Sequence, residues 1–124
     1  MENSLNSITE LGFEKVGEWV LKNGKIEAVL NEDKRAQENF IYAFVVNEKV
    51  MYIGKTSRTL KARMQNYTNC DESQTANVRI CEEVKNILKN SGEVLIYAMP
   101  NGDLEPKFIK MLSPEWNIQG VENE

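Results

Sequence analysis

Two short β-patterned runs, Phe40 to Val46 and Val50 to Ile53, flank the dipeptide Asn47-Glu48 and lead through Gly54 into a segment whose Leu60, Met64 and Tyr67 recur at spacings of four and three. The first run is β-branched and aromatic and the second returns after a turn, so the pair reads as an antiparallel hairpin. The later spacing is that of a helix with an inward stripe. A hairpin feeding directly into a helix limits the fold more than any other stretch of the chain. The same unit carries Tyr42, Tyr52, Lys55 and Arg63, with Arg63 and Tyr67 four residues apart on one helix surface. Phenols can relay protons, while lysine and arginine hold negative oxygens, arginine through a two-pronged fork. The combination suits the handling of a phosphate.

Around this unit the patterning predicts an α+β domain. Ser4 to Leu11 reads as a short helix capped by Ser7 or Asn3, and Val16 to Leu30 as a hairpin about Asn23-Gly24, anchored by Trp19, Leu21, Ile26 and Ala28. Gly54 is expected to end its strand and Thr56 or Ser57 to cap the helix that follows. A second helix is predicted over Asn77 to Lys89, with Val78, Cys81, Val84 and Leu88 inward and Gly92 beyond its end. Glu93 to Met99 alternates as a strand. Asp103 is then placed to cap a helix carrying Leu104, Phe108, Ile109 and Leu112, with Pro106 in its first turn and Pro114 ending it. The expected architecture is a three-stranded antiparallel central sheet flanked by helices, with an N-terminal β-hairpin added in front. Residues 1–39 form the extension, 40–120 the core and 121–124 a tail.

Composition removes several kinds of chemistry. Histidine is absent from the 124 residues, which excludes His-dependent triads, His-ligated zinc and imidazole bases. Acid–base work falls to Tyr, Lys or carboxylates. Cys70 and Cys81 lie eleven apart, fit no CxxC pattern, and are expected as free thiols. No apolar run approaches the roughly 18 residues of a membrane span, and the polar, acidic start is unlike a signal peptide, so the expectation is a cytoplasmic protein without membrane contact. The net charge is −4, but Lys49 to Tyr67 carries Lys49, Lys55, Arg58, Lys61 and Arg63 with no acid. The overall charge argues against a nonspecific nucleic-acid coat, and the one basic island in an acidic chain reads either as a solvated helix face or, favoured by its overlap with the tyrosines, as part of the site.

With these residues in place, the chain resembles the GIY-YIG nuclease family over about Phe40 to Asn117. The resemblance is carried by Phe40-Ile41-Tyr42, by Tyr52-Ile53-Gly54-Lys55-Thr56, by Leu60 with Arg63 and Tyr67, and by Glu105 with Phe108-Ile109, Pro114, Trp116 and Asn117. Phe40 stands where the family usually has glycine. The last module, with its acid and asparagine twelve residues apart, is most similar to the GIY-YIG domain of the nucleotide excision repair endonuclease; small restriction-type members are also similar. What the resemblance implies is hydrolysis of a DNA phosphodiester by in-line attack of water, assisted by one Mg²⁺ or Mn²⁺ ion. Glu105 would bind the metal, which would stabilise the leaving oxygen, and Arg63 would clamp the scissile phosphate.

Tyr52 or Tyr42 would relay the proton from water with Lys55 tuning the phenol or orienting the nucleophile, Tyr67 would orient phosphate or water, and Gly54 and Asn117 would support the site. Lys55, Thr56, Arg58, Lys61 and Arg63 are the expected DNA contacts. Trp19 and Trp116 read as core anchors. The polar stretch Ser73 to Arg79 offers either groove contacts or the start of a helix, the latter being favoured. No separate DNA-binding domain is visible, which leaves specificity to loops, the N-terminal hairpin, a homodimer or a recruiting protein. The competing expectation is a catalytically silent nucleic-acid-binding or regulatory module that keeps the fold.

Overall fold

A computed structural model describes residues 3–31, 38–69, 75–100 and 102–117. In chain order the elements are α1 (Leu5–Leu11), β1 (Glu14–Lys22), β2 (Lys25–Leu30), β3 (Glu38–Val46), β4 (Lys49–Thr59), α2 (Leu60–Thr68), α3 (Thr75–Lys89), β5 (Val94–Pro100), a 3₁₀ turn (Gly102–Leu104) and α4 (Glu105–Leu112). The α+β reading holds, but the sheet has five strands rather than three. All pairings are antiparallel and the order is β2-β1-β5-β3-β4. The N-terminal hairpin is therefore part of the sheet, because β1 pairs with β5, register Glu14↔Ala98 to Trp19↔Val94.

The two-residue period of the strands decides what lies on each face. In the interior strand β3, flanked by β5 and β4, Phe40, Tyr42 and Phe44 join a core with Trp19, Leu60, Met64, Tyr67, Ile80, Val84 and Trp116, under α2 and α3. Ile41, Ala43 and Val45 point the other way, into a second core with Ile8, Phe13, Ile53, Phe108 and Leu112, under α1 and α4. Helices thus cover both faces, and a strand buried on both sides reads as a near-continuous apolar run. Phe40, 2% exposed, fills core volume at the position where glycine was the pattern.

Local chemistry sets the element boundaries. Asn23 and Gly24 (φ 53° and 79°) and Asn47 and Glu48 (φ 50° and 65°) take the positive φ values of two-residue hairpin turns. Ser4, rather than Ser7 or Asn3, caps α1 by accepting from the Ser7 backbone N–H at 3.2 Å. Asn3 is spent instead on the Val50 N–H at 2.9 Å, tying α1 to the β3–β4 hairpin. β4 does not stop at Gly54 but continues to Thr59, and Thr59 caps α2 through the Ala62 N–H at 3.1 Å. Thr56 is turned inward and accepts from the Arg58 N–H at 3.0 Å. Asp103 lies in the 3₁₀ turn and does not cap α4, which has Leu104 at its N-cap position with no side-chain cap. α3 begins at Thr75, two residues before Asn77 and within the polar stretch favoured as the start of a helix. Cys81, expected as a free thiol, is disulfide-bonded. Cys70, Ser73, Gln74 and the 121–124 tail lie outside the described residues. No described helix is long and apolar enough to cross a membrane.

Candidate active site

The site is assembled where α2 crosses the β3–β4 hairpin. Tyr42 and Gly54 are cross-strand partners, and the Tyr42 ring lies over the glycine so closely that a Cβ there would sit 2.5 Å from the ring's Cζ and hydroxyl oxygen. Only glycine leaves the space for that ring, which gives the YIG glycine a steric reason. Tyr42 is 0% exposed, and its hydroxyl lies 2.7 Å from that of Tyr67, also fully buried. Arg63 bridges the two phenols, donating from Nε to Tyr42 and from Nη2 to Tyr67, each at 2.9 Å. Its guanidinium also lies 4.5 Å from the centre of the Tyr67 ring, a cation–π contact made available by their four-residue helical spacing. Tyr52 completes the aromatic group, with its ring centre 6.5 Å from those of both Tyr42 and Tyr67.

Proton bookkeeping follows from these contacts. Each phenol oxygen accepts from Arg63 and the two share one O–H hydrogen, so one phenolic hydrogen of the pair has no acceptor among the described residues. Burial, and then the neighbouring Tyr52, push the Tyr42 phenol well above its ordinary value, against the opposing pull of Arg63. Tyr67 is raised by burial and by Tyr42. For Arg63, burial acts downward, but the facing phenols Tyr42 and Tyr67 win and raise it. These directions favour the charged guanidinium and the protonated phenols.

Glu105 enters from the first turn of α4, in the helical layer on the opposite face of the sheet from Arg63. β4, which both α2 and α4 contact, is an edge strand. Burial raises the Glu105 carboxyl, while the charges of Lys55 and Arg63 partly offset that rise. Lys55 therefore acts on Glu105, and the cation that acts on Tyr42 is Arg63. Asn117 braces the same strand from outside. Its Oδ1 accepts from the Ile53 N–H at 2.8 Å and its Nδ2 donates to the Ile53 carbonyl at 2.9 Å. An edge strand leaves alternate backbone groups unpaired, and the amide pairs one residue's worth between Tyr52 and Gly54 as a further strand would.

The other basic residues divide. Lys55, Thr56, Ser57 and Arg58 line an open groove of about 790 Å³, faced by Asn39 and Gly102 and flanked by the carboxylates of Glu38 and Asp103. Lys61 lines a separate hollow between β2 and α2, with Glu27 and Gln65. Trp19 and Trp116 are both 2% exposed and belong to the core. Two residues carry more than the sequence assigned them. Asn77 accepts from Arg63 Nη1 at 3.2 Å, and Arg79 donates to the Trp116 carbonyl at 2.7 Å, next to Asn117. Both turn toward the protein, so the helix-start reading of that stretch holds for these two. Nothing in their local sequence marks such partners; only the path of α3 past α2 does.

Among the described residues no group of three or more His, Cys, Asp or Glu is gathered to hold a metal. The donor set is a single half-buried carboxylate. That suits Mg²⁺, which keeps several waters and takes one or two carboxylates together with substrate phosphate oxygens. A raised carboxyl is also one that gains from an added cation.

No family model matches the chain. Endonuclease II of Enterobacteria phage T4 is 30% identical over 131 aligned positions, covering 90% of this chain and 93% of the phage protein. A solved structure of a glutamate-to-alanine variant of the bacteriophage T4 enzyme superposes with a TM-score of 0.76 at 24% identity, over 92% of this chain and 98% of that one. A restriction endonuclease solved with product DNA superposes with a TM-score of 0.65 at 23% identity, over 80% of this chain and 62% of the other. At these identities the two structures speak for the fold.

Proposed function

Because the chain belongs to the family of phage endonuclease II, within the GIY-YIG nucleases, and is an endonuclease, we propose that it hydrolyses DNA phosphodiester bonds with the aid of one divalent cation. The observation that carries this reading is the arrangement about Arg63: a guanidinium held by two phenols, its charge reaching the carboxyl of Glu105. Arg63 binds nonbridging oxygens of the scissile phosphate and holds their charge as the transition state forms. Glu105 would hold Mg²⁺ or Mn²⁺, which when bound supplies charge stabilisation for the leaving oxygen. Lys55, beside Glu105, adds positive charge where the phosphate enters, and the groove lined by Lys55, Thr56, Ser57 and Arg58 receives the adjoining stretch of the strand.

The three phenols take different parts. A base must be able to lose its proton, and Tyr42 and Tyr67 are held protonated by burial. They serve to orient Arg63 through the hydrogen bonds it donates to their oxygens. Tyr52, at 9% the most exposed of the three, is the phenol assigned to the relay. The substitution of Phe40 for glycine is absorbed in the core, so it offers no support to a silent module.

The test is cleavage of supercoiled and branched DNA with and without Mg²⁺ or Mn²⁺. Glu105→Gln, which keeps shape and loses charge, should lower turnover by at least about 10³-fold while DNA binding persists. Cutting retained by that variant would remove Glu105 and its metal from the mechanism.

A further inference from the structure

Arg63 is held from a third side by a residue outside the phenol pair. Asn77, in the first turn of α3, is 1% exposed, and its Oδ1 accepts from Arg63 Nη1 at 3.2 Å. A guanidinium has five N–H donors. Nε goes to Tyr42, one hydrogen of Nη2 to Tyr67 and one of Nη1 to Asn77, so each terminal nitrogen keeps one hydrogen. Two free N–H groups on adjacent nitrogens are the fork that a phosphate accepts.

Without Asn77 the guanidinium is tethered only along its Nε–Nη2 edge and can pivot about it. A buried amide costs free energy unless its polar atoms are bonded, and the inward neighbours on α3 are otherwise Ile80, Cys81 and Val84. Among these apolar neighbours the amide oxygen is spent on Arg63. Its neutrality has a reason. A carboxylate in the same place would orient Arg63 equally well but would cancel the charge the phosphate needs, whereas an amide oxygen orients without neutralising.

We propose that Asn77 is a positioning residue for phosphodiester cleavage, fixing the free fork of Arg63 without spending its charge. The inference rests on the reading of Arg63 as the phosphate clamp.

Two measurements on the intact protein test it. The first is hydrogen exchange of the Arg63 Nε–H in the NMR spectrum, assigned by its loss in Arg63→Lys and independent of any cutting. Asn77→Ala removes the bond at Nη1 and lets the guanidinium pivot, so exchange of the Nε–H, which is donated to Tyr42, should speed up by about 10-fold. Asn77→Asp, which keeps the acceptor at the same reach, should exchange as slowly as wild type. The second is steady-state cleavage. Asn77→Ala should lower kcat by about 10- to 100-fold with KM unchanged within about 3-fold, as for other supporting contacts behind a reacting group. In an Arg63→Lys background the same change should cost less than about 2-fold.

Unaltered exchange in Asn77→Ala overturns the proposal, as does a turnover loss that recurs in full in the Arg63→Lys background. If Asn77→Ala does not fold, Asn77→Asp decides by itself, and fast exchange there is refuting. A wild-type protein that cuts no DNA while Asn77→Ala still frees the Arg63 Nε–H would sink the nuclease reading instead.

Discussion

Gly54→Ala is the smallest change that should disable the site, because it inserts one methyl group beneath the Tyr42 ring. The new Cβ would lie 2.5 Å from Cζ and from the hydroxyl oxygen of Tyr42 and 2.8 Å from Cε2, where ordinary contact begins near 3.4 Å. The ring would have to rise by close to an ångström. It has nowhere free to go, being 0% exposed and packed against Phe44, Tyr52 and Tyr67 at centroid distances of 5.6, 6.5 and 6.3 Å. Overpacking of this kind costs about 1–3 kcal/mol. Displacing the hydroxyl from Arg63 and Tyr67 adds about 1–3 kcal/mol for buried polar groups left poorly paired.

At roughly 3–5 °C per kcal/mol for a domain of this size, the melting temperature should fall by about 10 °C or more. Loss of Arg63 alignment should lower kcat by about 100-fold in whatever remains folded at lower temperature. Calorimetry and denaturant unfolding read the first effect, single-turnover cleavage the second. Two controls isolate the cause. Gly102→Ala, whose Cβ would meet nothing closer than 3.5 Å, should cost less than about 1 kcal/mol. In a Tyr42→Leu background, Gly54→Ala should lose most of its own cost, since the clashing atoms are gone. A Gly54→Ala protein within about 1 kcal/mol of wild type and cutting normally would refute the steric account.

Asn117→Ala should destabilise the fold by about 2–4 kcal/mol, from two buried backbone groups of Ile53 left unpaired. Urea unfolding measures it, and a loss below about 0.5 kcal/mol would show that water replaces the amide at no cost. Alkali should also unfold the protein in a tyrosine-specific way. Tyr42 and Tyr67 hold their protons in the folded state above the ordinary phenol value of 10.0, whereas the unfolded chain loses them there. Stability is thus unaffected below pH 10 and falls as pH rises through and beyond it, by up to about 1.4 kcal/mol per pH unit for each phenol. Tyr42→Phe should remove one proton's share of that slope. Equal slopes in the two proteins would place the Tyr42 proton outside the transition.

The hairpin-to-helix unit was legible because its signals are local: positive-φ turns at Asn-Gly and Asn-Glu, β-branched runs, and a stripe at helical spacing. Arg63 and Tyr67 could be placed together for the same reason, one helical turn apart. The five-stranded sheet was not, since nothing in Glu14 to Lys22 announces that it will pair with Val94 to Pro100 some eighty residues on. The caps went astray by competition among equals: Asn3, Ser4 and Ser7 are all capable, and the choice fell to whichever was not needed by the Val50 N–H. Gly54 was expected to end its strand. It is instead the position that the Tyr42 ring leaves empty, so a breaker signal was in fact a packing signal.

The partners chosen for Arg63 bear on why such a site uses tyrosine at all. Burying a guanidinium demands acceptors, and the cheapest acceptors for an arginine are carboxylates, which pair with it in register. Here the three acceptors are two phenols and an amide, all uncharged. Among the described residues the ion pair within 4 Å is Lys22 with Glu27, out on the hairpin tip. The arginine is thereby oriented and partly buried while its charge stays unspent. Glu105, the acid whose carboxyl feels that charge, makes no hydrogen bond or ion pair with Arg63 and is kept partly proton-hungry by its own burial. A carboxylate moved into contact with Arg63 would stabilise the resting protein and leave less positive charge for a phosphate, so the uncharged cradle is the arrangement that keeps both the clamp and the acid available to a substrate.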